Sequence, residues 1–111
     1  PRIVGKGRAK EILFTADMIA AAEAYRIGLV NKVVAPEELM TAAKAMAGRI
    51  MKRSASAVQL AKAAVNRGIE AGLENGIAYE AEVFGLCFAT EDQKEGMTAF
   101  VEKRKPEFKN R

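Results

Sequence analysis

"FATEDQKEGMTAFVEKRKPEF", Phe88 to Phe108, is the stretch on which the reading of this chain turns. Thr90 stands three residues before Gln93, the spacing of a capping box. Glu91 and Asp92 then fall where the positive end of a helix dipole favours acid. Lys103, Arg104 and Lys105 follow where the negative end favours base, and Pro106 cannot continue a helix. The acid-to-base order is therefore helix grammar and needs no ligand. It leaves unexplained why Phe100 and Lys103 fall three apart beside so much positive charge.

Working back from that helix, three more segments carry helical spacing. "LENGIAYEAEVFGLCF" predicts a helix from about Leu73 to Phe88 with Leu73, Ile77, Phe84 and Phe88 apolar. The segment before it, capped by Ser54 or Ser56, is expected to bury Leu60, Ala61, Ala64, Val65 and Ile69. Leu39, Met40, Ala43, Met46, Ala47, Ile50 and Met51 form an apolar stripe, with Pro36 suited to a helix start and Lys52 and Arg53 complementing the far end. The Met and Phe positions read as core. Toward the front, helices are expected from about Gly5 to Phe14 and from Ala20 to Arg26, with Gly28 as a left-handed stop. "LVNKVV", residues 29–34, is the one β-rich run, a short orphan strand whose partner must come from elsewhere. The fold class is mainly α.

The chain has 111 residues, half of them hydrophobic, and a net charge of +4. That is the composition of a folding domain and not of a disordered one. Cys87, the single cysteine, allows no internal disulfide, and no apolar run is long enough to span a bilayer, which fits a cytoplasmic setting and no membrane partner. With no histidine there is no imidazole base or histidine metal site. "GKGR" lacks the spacing of a phosphate loop, and the carboxylates of "YEAE" and "TED" sit on helix faces and caps. The basic residues cluster at the two ends without forming one long stripe, and aromatics are few, so no nucleic-acid partner is expected. A start at Pro1 and Arg2, without methionine or a signal pattern, leads to the expectation that the chain is a fragment.

"PRIVGKGRAKEILFT", "AYRIGLVNKVVAPEELM", "AKAAVNRG" and the opening stretch, in this order, resemble the enoyl-CoA hydratase (crotonase) superfamily across essentially the whole chain. "FGLCFATEDQKEGMTAFVEKRK" is particularly similar to its bacterial short-chain 3-hydroxybutyryl-CoA dehydratases. The resemblance implies that residues 1–111 are the C-terminal helical and trimerisation region of a crotonase-type α/β spiral. The catalytic glutamates and backbone oxyanion donors would lie upstream of Pro1, so that no catalytic residue falls in this chain and it is inactive alone. It implies a lyase hydrating short-chain 2-enoyl-CoA such as crotonyl-CoA, in trimers or hexamers. CoA would be carried by the substrate, with no further cofactor and no metal. Phe100 and Lys103 match the aromatic residue and lysine that the family places on CoA, near the adenine and its 3′-phosphate. Another reaction of the superfamily, such as isomerisation, and a non-enzymatic helical oligomerisation module are the alternatives.

Overall fold

In the computed structural model, which describes residues 1–111, the chain is six α-helices joined by short connections. They are α1 (Gly5–Thr15), α2 (Ala21–Arg26), α3 (Leu39–Met51), α4 (Ala55–Glu70), α5 (Leu73–Phe88) and α6 (Glu91–Val101), with a 3₁₀ turn at Pro36–Glu38 leading into α3. The chain divides into two compact units, Pro1–Ala43 and Lys44–Arg111.

In the first unit α1 buries Ala9 and α2 buries Ala24. Gly28, at φ +75°, ends α2 as its sequence position predicts. The Leu29 amide donates to the Ala24 carbonyl at 2.9 Å and the Gly28 amide to the Tyr25 carbonyl at 3.1 Å, the paired bonds of a Schellman cap. This cap also explains why residues 29–34 form no strand. The amides of Leu29 and Val30 both turn back onto Ala24, so the run starts inside a helix stop and continues as bends and irregular backbone. β-propensity lost to the glycine beside it.

In the second unit α4 and α5 form an antiparallel pair whose closest approach is made by glycines. A Cβ placed on Gly76 would lie 3.2 Å from the Gly68 Cα, so a larger residue at Gly76 would make the two helices part by a few tenths of an ångström, whereas Gly68 has room for one. Ser54 caps α4, accepting the Ala57 amide at 3.3 Å, and α5 contributes the buried Val83. At α6 only half of the expected capping box forms. The Gln93 amide donates to Thr90 Oγ1 at 3.1 Å, while the Thr90 amide bonds to the Cys87 carbonyl and has no need of the Gln93 side chain.

The expected core does not close within the chain. Only Ala9, Ala24, Val83 and Ala99 are buried apolar residues, and no large side chain is fully enclosed. Leu60 and Ala64 are half-buried, but Val65, Ile69, Leu73, Ile77, Phe84 and Phe88 are exposed, as are Leu39, Met40, Met46, Ile50 and Met51. The periodicity is real, but one face of each helix is all that a pair can cover, and the remaining stripes have no partner here. Apolar area of this extent is worth roughly 25 cal/mol per Å² when removed from water, which drives association. The chain is expected to self-associate in analytical ultracentrifugation and to bind an apolar dye; a monomer whose sedimentation is independent of concentration and which binds no dye would contradict this.

Candidate functional site

The end of α6 differs from its sequence reading in a way that matters for Lys103. The helix stops at Val101, five residues before Pro106, so Lys103, Arg104 and Lys105 lie beyond its last turn. The Arg104 amide donates to the Ala99 carbonyl at 3.0 Å and the Lys103 amide to the Phe100 carbonyl at 3.3 Å, a second Schellman cap. Its left-handed position, where glycine is usual, is filled by Lys103 at φ 55°. Phe100, one turn earlier, is 81% exposed, which removes core packing within this chain as its role. The i, i+3 neighbourhood expected on one helix face is thus replaced by a capped turn in which Lys103 leaves the helix just beyond the Phe100 ring's own turn.

The segment after the turn is tied back to α6 by carboxylates. Arg104 grips Glu95 with both terminal nitrogens, Nη1 to Oε1 at 2.5 Å and Nη2 to Oε2 at 2.9 Å, and its Nε reaches Glu102 Oε2 at 2.6 Å. Glu95 Oε1 also accepts the Glu107 amide at 2.8 Å. One turn nearer the helix start, buried Asp92 accepts the Lys109 amide at 2.7 Å and the Asn110 amide at 3.0 and 3.1 Å. Asn110, itself left-handed at φ 62°, takes the Ala55 amide on its Oδ1 at 2.9 Å and so joins the tail to the start of α4. Phe108 lies over Gly96, where a Cβ would sit 3.6 Å from the ring.

These contacts set the ionisation of the acids. The bidentate Arg104 guanidinium first, and then the Glu107 amide, hold the Glu95 carboxyl at about 2, against an ordinary 4.5, and Arg104 is raised in turn. Burial alone would raise Asp92, but the Ser54 hydroxyl and the two tail amides outweigh it and hold its carboxyl below the usual range. Sequence reasoning assigned Asp92 to the helix dipole and passed over Glu95. Neither pairing has a local signature, because their partners stand nine to eighteen positions away across a chain reversal. No group of three or more His, Cys, Asp or Glu residues could hold a metal ion, and Cys87 is a free, half-buried thiol on α5. No helix is long and apolar enough to cross a membrane.

Two outcomes follow. Because the Glu95 carboxyl is depressed in the folded chain, its stabilisation is complete above about pH 4.5 and is lost as the pH falls toward 2. Denaturant titrations across that window should show this loss, and Glu95→Gln should flatten it; an unchanged slope would dissociate the Arg104 clasp from stability. At the cap, relief of a left-handed side chain is worth about 1–2 kcal/mol, against about 0.5–1 kcal/mol of added unfolded-chain entropy. Lys103→Gly should therefore stabilise the fold by roughly 0.5–1 kcal/mol in urea melts, whereas a loss of stability would mean that the lysine side chain itself holds the turn.

The sequence of the chain and the course of its backbone match known proteins from end to end. The sequence model of the enoyl-CoA hydratase/isomerase family matches residues 1–111. A crotonyl-CoA hydratase of Syntrophomonas wolfei is 59% identical over 108 residues, covering 97% of this chain and 42% of the relative. A short-chain-enoyl-CoA hydratase of Clostridium acetobutylicum is 57% identical over 111 residues, covering 99% of the chain and 42% of that protein. Among solved structures, an enoyl-CoA hydratase of Bacillus anthracis superimposes with a TM-score of 0.96 at 40% identity, over 100% of this chain and 43% of its own. The chain thus spans about two fifths of the length of the relatives it matches. Since sequence and backbone agree from the first residue to the last, the chain belongs to the enoyl-CoA hydratase/isomerase family.

Proposed function

We propose that the protein carrying this chain is a lyase that reversibly hydrates short-chain 2-enoyl-CoA to 3-hydroxyacyl-CoA, with crotonyl-CoA as a representative substrate. The observation that carries this is the 59% identity to a crotonyl-CoA hydratase along almost the whole chain. Hydration adds water across a double bond conjugated to a thioester, and the charge that develops on the thioester oxygen must be met by preorganised donors. In this reading the remaining three fifths of the fold supply those donors and the two carboxylates that handle water, and residues 1–111 act as the C-terminal helical and trimerisation region. The exposed apolar stripes of α3, α4 and α5 are then faces for the rest of the fold and for neighbouring subunits in a trimer or hexamer. The enzyme would be cytoplasmic and would need no cofactor beyond the CoA of its substrate.

Phe100 and Lys103 take the CoA-binding role. An exposed ring can cover a nucleobase face, and an ammonium carried on a capped turn can meet a phosphate. The left-handed cap at Lys103 supports this reading, since a lysine held where glycine would be easier calls for a reason beyond the turn itself. Isomerisation is the second reading, favoured by the family's double description as hydratase/isomerase. Formation of 3-hydroxybutyryl-CoA from crotonyl-CoA decides for hydration, and migration of a 3-enoyl double bond without uptake of water decides for isomerisation.

A phosphate contact remote from the reacting carbonyl contributes equally to ground and transition states. Lys103→Ala in the full-length protein should therefore raise KM about tenfold, the equivalent of roughly 1–2 kcal/mol for an exposed charged hydrogen bond, while kcat stays nearly unchanged. With 3′-dephospho-CoA substrates the effect should shrink. Equal losses on both substrates would place Lys103 away from the 3′-phosphate.

A further inference from the structure

A groove of about 510 Å³ in the second unit lies apart from the residues proposed for CoA: its lining includes neither Phe100 nor Lys103. It is walled by Arg49, Lys52 and Arg53 at the end of α3, by Lys105 from the segment after α6, and by the half-buried Phe108 ring. No carboxylate lines it. The other arginines that make ion pairs, Arg8, Arg26, Arg104 and Arg111, each have an acid within 3.1 Å, whereas none of these four cations forms a salt bridge. Four uncompensated charges in one groove equal the net charge of the entire chain.

Helix electrostatics explains only part of this. The negative end of α3 is equivalent to about half an elementary charge, enough to favour one cation and not four, and Lys105 belongs to a different segment altogether. Four like charges brought together by the fold, though exposed and screened by water, set up a positive potential that favours an anion of comparable charge. A single carboxylate is too weak a match in charge; a di- or triphosphate supplies three or four negative charges and enough acceptor oxygens for both arginine forks and both ammonium groups. Phe108, anchored on Gly96, adds a flat apolar wall at the groove's side, the surface on which a base would lie if the phosphates belonged to a nucleotide.

We propose that this groove binds a di- or triphosphate group, free or carried by a nucleotide, as a site separate from the one that holds the CoA substrate. Isothermal titration of the full-length protein with inorganic pyrophosphate and with ATP tests it. Both should bind, with affinity falling as salt rises. The double variant Lys52→Gln/Arg53→Gln, which changes only exposed side chains, should lose at least about tenfold in affinity at unchanged helical circular dichroism. ATP binding more tightly than inorganic triphosphate, titrated beside it to match the phosphate charge, assigns the nucleotide as the source, and equal affinities of these two assign the phosphates alone. Absence of binding to the wild-type protein, equal binding by the double variant, or displacement of bound ATP by saturating CoA would each overturn the proposal.

Discussion

The carboxylate of Asp92 is the interaction on which the C-terminal unit depends. It sits in the first turn of α6, where the helix dipole already favours an acid, and it is buried. A buried charge is tolerated only when its lone pairs are taken, and here the Lys109 and Asn110 amides and the Ser54 hydroxyl take them. One side chain thereby joins the start of α6, the tail and the cap of α4. With the tail pinned, Asn110 can receive the Ala55 amide, Phe108 can lie over Gly96, and Lys105 comes to face the end of α3 across the basic groove.

What could be read from the sequence was local. All six helices, the Ser54 cap and the Gly28 stop are written in residues that act within one turn of themselves. The same local rules misplaced the end of α6. Pro106 is a visible breaker, but the helix is ended earlier by a cap whose left-handed residue is a lysine, and no turn propensity announces that. They also misread residues 29–34 as a strand, because the Leu and Val content of that run says nothing about amides already committed to Ala24. Glu95 with Arg104, and Asp92 with the tail, were illegible for a further reason. Each depends on a chain reversal that must exist before the partners are near, so spacing along the chain carries no trace of them.

The two helix stops make an instructive pair. Both are Schellman caps with the same two hydrogen bonds, yet one uses Gly28 and the other Lys103. At Gly28 the backbone alone satisfies the turn. At Lys103 the conformation costs free energy, and the segment is over-determined from both sides: by the helix bonds to Ala99 and Phe100 before it and by the bidentate Arg104 to Glu95 grip just after it. The backbone of Lys103 is thereby fixed in a conformation that glycine would adopt more easily, while its side chain stays exposed.

The sparse core points in the same direction. Stability in the second unit rests on a glycine-to-glycine helix approach and on acid side chains gripping backbone amides, both of which are short-range and demand little apolar volume. Large apolar side chains are therefore not consumed by the internal fold and remain on the outside of α3, α4 and α5. The relatives that the chain matches are more than twice its length, and under the proposed reading these faces are contacts for the rest of such a fold. The polar clasp fixes the tail and the segment after Lys103 without burying those stripes. Tail order and exposed helices are thus two results of one division of labour, in which hydrogen bonds shape the segment and hydrophobic area stays on the outside of the helices.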